Sequence, residues 1–150
     1  MKFKVLILLS LATMFVACGV QKPLKFILLK KSKTFAPETN EKVTYWGESY
    51  IIENYQNNKY SEKQIDSFAH QLGNLKKDSC DSYVISFYNA LDIDNLKYII
   101  KNPQDLDWHD MILEYWWSDH KFLGRTKLKN GKIIDPKNTV IVTDPPPLKQ

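Results

Sequence analysis

The strongest periodicity in the chain runs from Ser61 to about Lys76. Ile65, Phe68, Ala69, Leu72 and Leu75 recur at spacings of three and four, which lines them up on one face of a helix. Ser61 reads as its N-cap, with Gln64 three positions on completing a capping box. Elsewhere the pattern has a period of two. Val43-Thr44-Tyr45-Trp46 and Ser49-Tyr50-Ile51-Ile52-Glu53 predict one bent strand or two short ones around Gly47. From Asp81 to Asn89, Tyr83, Ile85 and Phe87 fall on one face and Val84 and Tyr88 on the other, the pattern of a central strand covered on both sides. Met111 to Trp117 alternates again, with Met111, Leu113, Tyr115 and Trp117 against Ile112, Glu114 and Trp116. A turn at Ser118-Asp119-His120-Lys121 leads to a returning strand, Phe122 to Lys129, and Asn130-Gly131 is the strongest hairpin signal in the chain.

Between the third and fourth of these segments, Asp92 reads as the cap of a short helix through Lys101, stapled by Leu91 and Leu96 and ended by Asn102-Pro103. The predicted order is β-α-β-α-β-β. Phe26-Ile27-Leu28-Leu29 can add a first strand, and Ile133-Ile134 and Val140-Ile141-Val142 can extend the sheet at the other end. The fold class expected is α+β: a small antiparallel or mixed sheet with one main and one short helix packed on one face.

The amino terminus follows a different rule. Lys2 and Lys4 precede an almost wholly apolar run from Val5 to Val16, which is shorter than the roughly 20 residues a membrane-spanning helix needs and fits a secretory signal. It ends in Phe15-Val16-Ala17-Cys18, which resembles the lipobox of bacterial lipoproteins. The resemblance covers only these first residues. It implies cleavage between Ala17 and Cys18 and attachment of a diacylglycerol to the Cys18 thiol. One short acyl chain holds a protein marginally and two hold it stably, so the implied modification anchors the domain. Gly19 lacks the Asp that resembles an inner-membrane retention signal, which favours an outer-membrane position in a cell that has one.

The chain then divides into a signal (1–17), a lipidated terminus and tether (18–42), a single domain (43–143) and a proline-rich tail (144–150). Its formal charge of +4 falls to +2 once Lys2 and Lys4 are removed. No basic run interleaved with aromatics suggests nucleic acid as a partner. With Cys18 lipidated, Cys80 has no partner within the chain and reads as a small buried hydrophobe. Asp78 and Asp81 beside it disfavour a thiolate, so pairing Cys80 with His70 as nucleophile and base has little behind it.

The one stretch dense in ligand-type side chains is Asp107-Trp108-His109-Asp110, followed by Glu114 and Asp119-His120. Imidazoles and carboxylates converging from rigid elements make metal or acid–base sites, but none of the established spacings for such sites occurs here. The aromatics offer recognition chemistry: Trp117 reads as core, whereas Trp116 shares its face with Glu114. No catalytic, cofactor-binding or metal-ligating residue is assigned. The expected function is a membrane-anchored extracytoplasmic lipoprotein with a non-enzymatic binding or envelope accessory role, including that of an inhibitor or immunity protein, and with an envelope protein or polymer as partner. The rival expectation is an envelope hydrolase or metal-binding enzyme using His109, Glu114 and His120.

Overall fold

The computed structural model describes residues 22–38 and 42–135. The signal segment, Cys18, Val140-Ile141-Val142 and the proline-rich tail lie outside the described residues. Six strands form one sheet in sequence order, β1 (Lys25–Phe35), β2 (Val43–Glu53), β3 (Ser82–Asn89), β4 (Met111–Ser118), β5 (Lys121–Lys129) and β6 (Lys132–Ile133). Every neighbouring pair is antiparallel except β2 with β3. That parallel pair is joined through helix α1 (Lys59–Lys76), as parallel strands require a long crossover. A shorter helix, α2 (Leu96–Lys101), lies between β3 and β4. The class is α+β with a mixed sheet.

The alternation read from the sequence becomes two clusters, one on each face. On the α1 face, Trp46, Tyr50, Ile52, Tyr83, Ile85, Phe87, Leu113, Tyr115 and Trp117 pack against Ile65 and Ala69 of the helix. Phe26 stacks on Phe68 at 4.1 Å between ring centroids, and Phe87 meets Tyr50 at 5.9 Å and Tyr115 at 5.7 Å. On the other face, Ile51, Tyr88, Met111 and Leu128 pack against Ile93 and Ile99. Each apolar side chain so buried contributes roughly 1.5–3 kcal/mol, and β3 takes part in both clusters.

Several expectations are corrected. The two helices lie on opposite faces: α2 and its flanking loops form a partial third layer over Ile51 and Tyr88. The tether expected over 18–42 is sheet from Lys25, because β1 pairs with β2 along its length, and Phe26, Ile27 and Leu29 each pack against a core cluster. The domain therefore starts near Pro23, whose carbonyl accepts a bond from Asn54 Nδ2 at 3.1 Å. Of the two readings of Val43–Glu53, the single strand is the one that forms.

The helix cap is Asn58, whose Oδ1 accepts from the Ser61 amide at 2.9 Å. Ser61 lies inside the helix, with its Oγ accepting from the Gln56 amide, and Gln64 Oε1 accepts from the Leu24 amide, so no capping box forms. Leu75 is 73% exposed; the buried stripe is Ser61, Ile65, Ala69 and Gly73, because α1 meets the sheet through a small residue over Trp117. Asn95 stands at the N-cap position of α2 in a left-handed conformation, and Asp92 instead accepts a bond from Asn89 Nδ2. A register shift between Phe87 and Tyr88 puts Met111 and Leu113 on opposite faces, since one extra residue in a strand reverses the facing of what precedes it.

The turns behave as read. Asp119 and His120, and Asn130 and Gly131, all have positive φ, which suits the right-handed twist of two-residue hairpins.

Candidate functional site: a polar cleft at the end of the sheet

The carboxyl ends of β2 and β3, the start of β4 and the end of β5 all reach the same end of the sheet. Beyond the carboxyl ends of parallel strands, the diverging loops leave crevices in which ligands commonly bind. A cleft of about 300 Å³ occupies that position, lined by Tyr55, Asn57, Asn89, Asp92, His109, Asp110, Lys127 and Asn130, among others. A second depression of about 310 Å³ adjoins it, sharing Asp92 and Asp110 and adding Asp94, Asp105 and Asp107.

Local chemistry fixes the walls. Asn89, the last residue of β3, is buried; its Nδ2 donates to Asp92 Oδ2 at 2.9 Å and its Oδ1 accepts from the Leu91 amide at 3.3 Å. It therefore orients Asp92 at the cleft wall. Asp107 Oδ1 accepts from the His109 amide at 2.9 Å and meets His109 Nδ1 at 2.8 Å. The backbone bond and then the ring bond of His109 hold the Asp107 carboxyl below the usual range. Asp110 is pushed the other way, first by burial and then by Asp107, Asp92 and Asp94. Opposite, Gly131 donates its amide to the His109 carbonyl at 3.1 Å. A Cβ at Gly131 would collide with the His109 ring, so the β5–β6 hairpin closes directly on this wall. Trp108 packs beside His109 with ring centroids 3.8 Å apart and is 55% exposed.

The three residues of the expected enzyme do not converge. His109 precedes β4 and His120 follows it, so the strand holds them roughly 25 Å apart at about 3.3 Å per residue. His120 Nδ1 approaches the Lys77 carbonyl at 3.0 Å and Asp78 at 3.1 Å, in the turn at the far end. Glu114 sits mid-strand on the face away from α1, accepting from Trp116 Nε1 at 2.8 Å and Ser86 Oγ at 3.1 Å. Among the described residues, no group of three or more His, Cys, Asp or Glu side chains could hold a metal ion. Cys80 is buried, with its thiol on the Lys76 carbonyl at 3.7 Å, while the His70 ring packs on Phe122. Burial, then Asp81, raises the Cys80 pKa, which disfavours the thiolate.

Of the cleft residues, His109 and Asp110 were legible beforehand. Asn89, Asp92 and Lys127 were missed, as were Asp94 and Asp105. The available signal was density: five aspartates fall between Asp92 and Asp110, in a stretch that must connect two strands.

No protein-family model matches the chain, and neither a curated protein nor a solved structure does. No helix among the described residues is long and apolar enough to cross a membrane.

Glu114 makes a prediction of its own. Burial raises its pKa above 4.5, against the two hydrogen bonds that lower it. A carboxyl whose folded pKa is raised favours folding below its unfolded pKa and loses that contribution as pH rises through the folded value. Glu114→Gln keeps both hydrogen-bonding positions without the charge. It should be more stable than the parent at pH 7 and indistinguishable from it near pH 4, in urea titrations across that range. A constant difference between the two pH values would show that Glu114 carries no such penalty.

Proposed function

We propose that this protein is a lipid-anchored, extracytoplasmic binding protein, held to a membrane through Cys18, that engages an envelope protein or polymer through the cleft at the carboxyl end of β3. The carrying observation is the cleft itself. Amides (Asn57, Asn130), carboxyls (Asp92, Asp110), ammonium groups (Lys127, Lys129) and the Tyr55 ring converge on one concave surface with Trp108 exposed beside it. That mixture of a few fixed polar groups with an aromatic platform suits recognition of a polar chain. No Ser, Thr or Cys lines it among the described residues. The anchor rests on the resemblance of Phe15-Val16-Ala17-Cys18 to a lipobox.

Both halves have direct tests. Mass spectrometry of the mature amino terminus should find a modified Cys18, and Cys18→Ser should move the protein out of the membrane fraction; an unmodified terminus would remove the anchor. Trp108→Ala and Asp92→Asn should each abolish retention of an envelope species that the parent captures from solubilised membranes. Equal capture by the variants would remove the cleft.

One observation favours a second reading, an envelope hydrolase. Asp110 is held above the ordinary carboxyl range and shares the cleft with a second carboxyl, Asp92. Two carboxyls of unequal acidity facing one cleft are the arrangement that cleaves glycosidic bonds. Loss of polymer cleavage in Asp110→Asn would establish it.

A further inference from the structure

β1 is an outer strand of the sheet, and its surface character differs from that of the cleft. From Gly19 to Pro37 the chain contains Lys22, Lys25, Lys30, Lys31 and Lys33 and no acidic residue. Lys22, Lys25, Lys30, Lys31 and Lys33 are exposed, with Lys25 paired to Glu53 at 3.0 Å and Lys31 to Glu48 at 3.5 Å, and the apolar Leu28 and Phe35 of the same strand are exposed too. The five aspartates of the cleft region are carried by the connection between β3 and β4, whose Ile93 and Ile99 share a cluster with Ile27 and Leu29 on one face of β1.

We propose that the β1 edge is a membrane-facing surface that lies against anionic phospholipid. Two further observations support this occupant. Lysines on an outer strand oppose addition of another protein strand, whereas each lysine near an anionic bilayer is attracted to it. The second is reach, and it rests on lipidation of Cys18. Pro23 is fixed to Asn54, and the chain from Cys18 to Pro23 spans at most about 18 Å. The eleven residues of β2 extend roughly 36 Å. The connection is too short to turn the domain end over end, so the start of β1 and the Asn54 loop bonded to it stay beside the bilayer, and the basic strand begins there. Leu28 and Phe35 then meet the headgroup boundary.

The test uses the chain from residue 18 to 150 carrying Cys18→Ser, which retains every described residue and has no lipid. It should cosediment with vesicles of equimolar phosphatidylcholine and phosphatidylglycerol, not with phosphatidylcholine alone, and the binding should weaken as salt is added. The triple substitution Lys22→Gln, Lys25→Gln, Lys30→Gln should reduce binding by roughly 100-fold with an unchanged Tm, and arginine at the same positions should preserve it. Lys121→Gln with Lys132→Gln, at the opposite edge, should change it less than about twofold. Equal binding to neutral vesicles, or equal effects at the two edges, overturns the proposal. So does a dimer in solution that the β1 substitutions abolish, because the edge would then pair with a second copy. This chain carries no lipid, so a negative result leaves the Cys18 anchor standing, and an unmodified Cys18 in cells leaves the anionic edge standing.

Discussion

Phe87→Ala is expected to lower stability by about 3–5 kcal/mol, with a fall in Tm on the order of 10–20 °C. Phe87 is fully buried in the central strand, and its ring meets Phe26 of β1 at 6.1 Å, Tyr50 of β2 at 5.9 Å, Phe68 of α1 at 6.2 Å and Tyr115 of β4 at 5.7 Å. Truncation removes the transfer energy of the ring and leaves a cavity that four separate elements would have to close. Those elements are pinned elsewhere: Arg125 of β5 bonds Asp66 of α1 at 2.8 Å, and Tyr115 donates to the same carboxylate. Little collapse is therefore available. Urea unfolding of the variant tests this, and a loss below about 1.5 kcal/mol would mean that the cluster is loosely packed.

Gly73→Ala should destabilise by roughly 1–3 kcal/mol, against the sign set by helix propensity. Replacing a mid-helix glycine by alanine ordinarily favours the helix by about 1 kcal/mol. At this position, however, a Cβ would overlap the six-membered ring of the Trp117 indole, and Trp117 is buried between α1 and β4. The helix would have to lift from the sheet or the indole would have to leave its place. Trp117→Leu makes room, so the double variant should lose less than the sum of the two single changes. An additive pair in thermal unfolding would place the cost of Gly73→Ala elsewhere.

Sequence periodicity was a reliable guide wherever a face is decided by burial alone. Tyr83, Ile85 and Phe87 pointed together because three apolar positions at a spacing of two have only one face to share, and β3 follows that pattern. Asn130-Gly131 was legible because a two-residue hairpin needs left-handed residues, and both adopt them. The failures share a different cause. Ser61 and Asn58 are both good capping residues, and the choice depended on Gln56, which takes the Ser61 hydroxyl. Leu75 fitted the helical stripe, but Gly73 brought the contact with the sheet onto the adjacent face. Lys30-Lys31-Ser32-Lys33 read as tether because outer strands are permitted a polar surface that helical and central-strand patterns are not. In the cleft, Asn89 is an unremarkable strand end in sequence; its role arises only because Asp92 folds back onto it.

β3 is joined to neither of its partners by a short turn: residues 54–81 separate it from β2, and residues 90–110 separate it from β4. The flanking strands need no such detour, since β1 and β2 form one hairpin and β4, β5 and β6 close through two-residue turns. Loop-closure entropy favours those local pairings first. Without β3, the two ribbons would face each other across a slot, one side open to a parallel strand and the other to an antiparallel one. Until the chain delivers its own β3, that slot is a template for any foreign strand of similar pattern. The most buried strand of the native protein is thus also what guards the unfinished molecule against misassembly.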